Sequence, residues 1–334
     1  MPSNSTASAD AVSIYGVRKT FGPKVAVAGL DLTVPAGKIT GFIGPNGAGK
    51  TTTIRMIMSI IFPDKGQISV LGRASALESK DRIGYLPEER GVYKKMKVQP
   101  FLEYIARLKG VPSAGLSGQV KMWLDKVGLG DCAKKRCEEL SKGMSQKVQF
   151  IASVIHEPDL LILDEPFSGL DPVNRRLLRE LIDEQHKRGC TIIFSTHAMF
   201  EAEQLCDHLF MIHRGQKVLD LPMSEVWTRF DPRTIVVETL SAPDDSHLGL
   251  FRSFEGITEV VPNVKGFDFR LAANVDISNV MQRIASSVPA RRIELKRPSL
   301  DDIFIGLVGG TSESLATLDD ESADGKRSAE VAHV

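Results

Sequence analysis

Residues 44–51 read Gly-Pro-Asn-Gly-Ala-Gly-Lys-Thr, a spacing suited to holding phosphate. Gly44, Gly47 and Gly49 let the backbone curl so that successive N–H groups face one point, since no Cβ blocks the tight turn. Pro45, Asn46 and Ala48 complete the loop, and Thr52 follows it. Lys50 is placed to reach the β- and γ-phosphates of a nucleotide, and the Thr51 hydroxyl to ligate Mg²⁺. The apolar run ITGFI precedes the loop, and Ile54, Ile57, Ile60 and Ile61 follow at helical spacing. A helix opening there aims its positive end at the same anion. A second cluster lies in DLLILDEP, where Asp164 and Glu165 end an apolar run. Asp164 can hold Mg²⁺ through water, and Glu165 can orient and polarise an attacking water. His197 leaves another apolar run, TIIFS. An acid pair after an apolar run is often only a solvated strand end; the phosphate loop and His197 make that reading a poor one here.

These residues need elements to position them. Leu160–Leu163 and Thr191–Ser195 are continuous apolar stretches, as expected of parallel strands buried on both faces, with ligand-binding groups at their C-terminal ends. Two β-rich runs, VSIYGVRKTFG and KVAVAGLDLTV, meet at Gly22-Pro23, and residues 67–73 read as a further strand. Phe21, just before that turn, either stacks on a base or packs locally. RIGYLPEERGVY runs from a strand into a charged loop opened by Pro87. Residues 95–158 carry helical periodicity and read as an all-α insertion, with Ser141 as a helix N-cap and Pro158 as its stop. A helix is expected through about Lys187, another over FEAEQLC, and a hairpin turning near Arg214-Gly215.

A break near Phe230-Asp-Pro232 ends this first domain, 11–230. Residues 232–310 then read β-α-β-β-α-β, a small α+β domain of ferredoxin-like order, with a turn at Gly266. The polar ends, 1–10 and 311–334, are expected to be disordered.

Lys+Arg and Asp+Glu both number 42, which argues against a dedicated nucleic-acid binder. No apolar run has the roughly 18–20 residues of a membrane helix. The start, MPSNSTASAD, lacks the basic and apolar regions of a signal peptide. Cys132, Cys137, Cys190 and Cys206 lack metal-like spacing and read as reduced thiols of a cytosolic chain.

Taken together, the motifs resemble those of the nucleotide-binding subunits of ABC transporters over about residues 11–222. LSKGM, Leu140–Met144, resembles the family's LSGGQ signature, with Lys142 in place of a glycine and Met144 in place of the glutamine. SGLDP resembles its D-loop, Thr196-His197 its H-switch, and Phe21 its adenine-stacking aromatic. The C-terminal domain resembles that of ABC-2 export subunits, including sodium- and drug-exporter-like ones. The implied fold is a P-loop NTPase core of α/β type, with a helical subdomain and the small C-terminal domain.

The resemblance also implies function. ATP and Mg²⁺ would be bound, and the chain would dimerise head-to-tail with itself or a close relative. Ser141 and Gly143 would meet the γ-phosphate held by the partner. An integral membrane permease would tether the chain at the cytoplasmic face of the membrane, where ATP hydrolysis powers transport. The family has a glutamine where this chain has Glu88. Glu88 either ligates Mg²⁺ and senses the catalytic water, or only faces solvent. A soluble ABC-type ATPase acting on ribosomes or DNA is the alternative. It fits less well, because the chain has one cassette and no long heptad run. The C-terminal domain is expected to regulate the chain or support its dimer.

Overall fold

The computed structural model describes residues 10–88, 91, 93–231, 233–240 and 245–309. The ends expected to be disordered fall outside it, apart from Asp10, as does Pro232 at the expected domain break. The chain forms two compact units, which divide between Met223 and Ser224, and the second runs to Gly306.

The first unit opens with β1 (Asp10–Phe21), β2 (Lys24–Pro35), β3 (Ile39–Ile43), α1 (Lys50–Ile57), β4 (Lys65–Val70) and β5 (Ile83–Leu86). Helices α2 (Val98–Leu108), α3 (Leu116–Lys126) and α4 (Lys142–Val154) follow. The unit continues with β6 (Leu160–Asp164), α5 (Pro172–Lys187), β7 (Thr191–Thr196), α6 (Met199–Leu205), β8 (His208–His213) and β9 (Gln216–Pro222). β1, β2 and β4 form an antiparallel sheet in the order β2-β1-β4. The other six strands form a sheet in the order β5-β6-β7-β3-β8-β9, parallel except for the β8–β9 hairpin.

Every residue of β3, β6 and β7 is buried, so apolar side chains occupy both faces. Phe42, Ile162, Ile193 and Phe210 carry this sheet into a core shared with β1, β2 and α1. Register then decides the site. Ile43 pairs with Thr196, and Asp164 with Ser195, so the loops after β3, β6 and β7 leave the same sheet edge side by side.

Several boundaries differ from expectation. β4 stops at Val70 because Leu71 (φ 51°) and Gly72 (φ 74°) turn left-handed. Helix α4 ends at Val154, before Pro158, and Glu157 takes a φ of 56° in between. A short helix the periodicity did not signal, α7 (Met223–Arg229), begins where the two units divide.

In the second unit β10 (Thr234–Thr239), α8 (Asp245–Arg252), β11 (Ile257–Asn263), β12 (Gly266–Leu271), α9 (Ile277–Ser287) and β13 (Ala290–Leu295) follow in chain order, and α10 (Leu300–Gly309) ends the described chain. The sheet order is β11-β12-β10-β13, antiparallel throughout, which is the ferredoxin-like arrangement. Phe251, Phe267 and Phe269 meet edge-on at its core. Gly266 is the first residue of β12 rather than the turn itself. A Cβ there would fall on the Val237 carbonyl, so close approach of β10 requires the glycine.

Candidate active site

The loop between β3 and α1 is shaped by its neighbours. A Cβ on Gly44 would coincide with the Ile212 carbonyl of β8, and one on Gly49 would lie 2.6 Å from the Ala26 carbonyl. Gly49, with φ 114°, opens α1, and Gly47 has φ 79°. The hairpin turn at Arg214-Gly215 supports the loop from behind, since Gly215 N–H donates to Ala48 O at 2.8 Å. Pro45 O and Gly44 O face inward: Lys50 Nζ donates to Gly44 O at 2.6 Å and Pro45 O at 3.3 Å. Lys50 is buried, and its Nζ lies 3.6 Å from Glu165 Oε1. A buried ammonium held only by carbonyls and one carboxylate is well disposed to exchange them for phosphate oxygens.

Asp164 and Glu165 sit at and just past the end of β6. Ser195 Oγ donates to Asp164 Oδ1, and Thr51 Oγ1 reaches the same oxygen at 3.5 Å. Asp164 Oδ2 is buried and, among the described residues, accepts no hydrogen bond. Burial pushes the Asp164 carboxyl up, and the Glu88 and Glu165 charges add to that; hydrogen bonds from Ser195 and Thr51 oppose it. A buried oxygen with a free lone pair beside a threonine hydroxyl is a suitable donor set for a hard divalent cation, so these residues fit Mg²⁺.

Glu165 adopts φ 50°, unusual for a non-glycine residue, and its N–H donates to Ser195 O at 3.1 Å. That twist turns its carboxylate back over the sheet edge. His197 Nδ1 lies 2.9 Å from Glu165 Oε1, and Thr196 Oγ1 donates to Oε2 at 3.5 Å. Glu165 is buried, while His197 is about half exposed.

Phe21, Asn46, Gly47, Gly49, Lys50, Thr51, Thr52, Glu88 and Glu165 line one cleft. The strand-end phenylalanine therefore stands on the wall of the phosphate loop, half exposed. Glu88 is exposed, yet it faces this cleft with Thr51 and Glu165. Ser141 and Gly143 do not line it. Ser141 caps α4, its Oγ accepting from Met144 N–H at 3.3 Å. Ser195 was not singled out from the sequence, though it bonds Asp164 and Glu165 at once. Its signal was a hydroxyl at the buried end of an apolar strand, where a polar group must find a partner.

Residues 27–168 match the family described as ABC transporter, and residues 222–308 match the ATP-binding protein DrrA1-3-like, C-terminal domain. Residues 136–202 also match a family described as AAA domain, putative AbiEii toxin, Type IV TA system. The chain is 42% identical over 303 residues to the uncharacterized ABC transporter ATP-binding protein YhaQ of Bacillus subtilis (strain 168), covering 90% of this chain and 100% of that protein. It is 32% identical over 307 residues to the Nod factor export ATP-binding protein I of Rhizobium sp. (strain N33), covering 91% and 98%. A solved structure titled "Structure of ATP binding subunit of ABC transporter" superposes with a TM-score of 0.61 at 28% identity, covering 66% of this chain and 92% of that one.

Proposed function

The chain belongs to the ABC transporter ATP-binding proteins, a family that hydrolyses ATP to drive transport, and on that footing we propose how its own residues do so. The N–H groups of residues 44–52 and the Lys50 ammonium take the β- and γ-phosphates, and Phe21 stacks on the base. Thr51 and Asp164 would hold Mg²⁺, with Glu88 as a further oxygen donor. A Mg²⁺ ion bound there would supply positive charge to offset that of the phosphates.

Glu165 is the general base. It takes a proton from the water that attacks the γ-phosphorus, and the bond to the β-phosphate oxygen breaks to leave ADP and phosphate. His197 holds the Glu165 carboxylate by its Nδ1–H, fixing the base against the phosphate side of the cleft. Ser141 and Gly143 close the site from a second copy or a close relative, because the α4 N-terminus is a separate anion-binding end that its own chain does not bring to the phosphate loop. Hydrolysis removes the bridging charge, and the pair opens.

No helix among the described residues is long and apolar enough to cross a membrane. By kinship with ABC transporter subunits, the working assembly we propose is an ATPase pair on an integral membrane permease, at the cytoplasmic face of the membrane. The Nod factor relative favours export as the direction. The observation that carries this reading is that Lys50, Thr51 and Glu165 line one cleft, with Asp164 bonded to Thr51, His197 bonded to Glu165, and Asp164 Oδ2 buried and, among the described residues, without a hydrogen bond.

The test is Glu165→Gln. Steady-state ATPase should fall on the order of 10²- to 10⁴-fold while binding of a fluorescent ATP analogue persists. Undiminished turnover by this variant removes Glu165 as the base.

A further inference from the structure

Glu88 and Lys142, two positions at which the chain departs from the family pattern, line the same cavity. Asp164, Glu165 and Ser168 line it with them. Among the described residues Lys142 is its only basic lining residue, set against three carboxylates, Glu88, Asp164 and Glu165.

The path of the lysine side chain explains how it reaches that cavity. Lys142 is the first residue of α4, directly after the Ser141 cap. The end of its side chain lies over Gly169 in the turn before α5; the atoms nearest a Cβ on Gly169 would be Lys142 Nζ, then Cε. Gly169 has φ 68°, so the turn itself favours glycine, and the missing Cβ makes room for the lysine. The ammonium thus lies at Gly169, next to Ser168, at the rim of the cavity that Glu88, Asp164 and Glu165 also line. Ser141 stays exposed at the helix start.

The charge balance gives the arrangement a purpose. A neutral glutamine would add no charge beside Asp164 and Glu165, whereas Glu88 adds a full negative one. Its field already raises the Asp164 carboxyl. Uncompensated, a third carboxylate would repel the phosphates that the neighbouring loop must hold. Lysine, a compact charge on a flexible stem, can offset it from a helix start.

We propose that Lys142 is the in-chain counter-charge of Glu88. It is a positioning residue that lets a carboxylate stand where the family pattern has glutamine, and it ties the start of α4 to the loop after β5 and the turn at Gly169. The proposal rests on reading the cleft as the ATP site, and it holds whether or not Glu88 ligates Mg²⁺.

A double-mutant cycle tests it. Lys142→Met, Glu88→Gln and the two combined are each made on Glu165→Gln, and mant-ATP affinity is titrated in EDTA and again in excess Mg²⁺. Lys142→Met should weaken mant-ATP binding in EDTA roughly fivefold, the effect expected of removing one partly screened unit charge near the phosphates. Adding Glu88→Gln should restore most of that loss, and Lys142→Arg should show little of it. The same cycle with Glu165 intact should move KM for ATP more than kcat. Equal losses from Lys142→Met with and without Glu88→Gln, or no loss at all, overturn the pairing. Thermal unfolding of each variant separates misfolding from charge, and Lys142→Gly serves as the second variant if the methionine does not fold. Failure of Glu165→Gln alone to bind mant-ATP would instead sink the reading of the cleft itself.

Discussion

Two helices of the first unit begin after small residues, and their first turns are built differently. Helix α1 starts behind Gly49, framed by the Ile212 and Ala26 carbonyls and by the ends of β6 and β7. Its lysine is buried and its acid, serine and histidine partners all come from the same chain. Helix α4 starts behind Ser141, whose hydroxyl is engaged with Met144 N–H, and Gly143 has neighbours only at ordinary contact distances. The first is complete in one chain. The second is a cap and a glycine followed, among the described residues, by side chains of its own chain only at contact distance, with the neighbouring Lys142 lying over Gly169. A glycine can thus be required by its own fold, as Gly44 is, or be spared by it, as Gly143 is. The latter is what the proposed role of Gly143 toward a second copy requires.

The largest test of that contrast is Lys50→Ala. It should weaken mant-ATP binding on the order of a hundredfold, because a buried cation is lost beside a carboxylate that stays buried. Retained affinity would mean that the loop N–H groups alone hold the phosphates.

Gly44→Ala against Gly143→Ala sharpens the contrast further. The first should lower stability by about 1–3 kcal/mol in urea unfolding, since its Cβ has nowhere to go. The second, at 3.4 Å from Asn174 Nδ2, should leave the single chain as stable or about 0.5–1 kcal/mol more stable, as alanine is the better helix former. It should nonetheless prevent the ATP-dependent dimer of Glu165→Gln in size-exclusion chromatography. A dimer of unchanged strength would detach Gly143 from the proposed interface.

The smallest effect concerns the far end of α4. His156 Nε2 lies 3.1 Å from Ile83 O and joins that end to β5. Burial first, then the Lys109 charge, pushes its pKa down to about 4. The unfolded chain takes up this proton more readily, from about pH 6.5 downward. The contribution is therefore full above about 6.5 and is lost as pH falls toward about 4. Urea midpoints at pH 7 and pH 5 should draw together in His156→Gln; an unchanged gap would assign the acid sensitivity elsewhere.

Much of the site could be read in advance because its parts are contiguous. Gly44 to Thr52 is one loop, and Asp164-Glu165 is one strand end; local backbone demands select such residues where they stand. The β-α-β-β-α-β order of the second unit was legible for the same reason, as alternation and helical spacing are short-range patterns. Helix α7 was not, being seven residues with Val, Trp and Thr among them, which carry little helical signal.

Residue types and spacing by themselves established a nucleotide loop, an acid pair and a histidine, and so the chemistry available to this protein. Tertiary structure alone decided which of these groups touch. The strand order β5-β6-β7-β3-β8-β9 set Asp164 beside Ser195 and Glu165 beside His197, and a turn at Gly169 left room for Lys142 at a cavity that Glu88 also lines. Such meetings depend on register and on room for a side chain, which arise only when distant segments pack, so no local pattern encodes them.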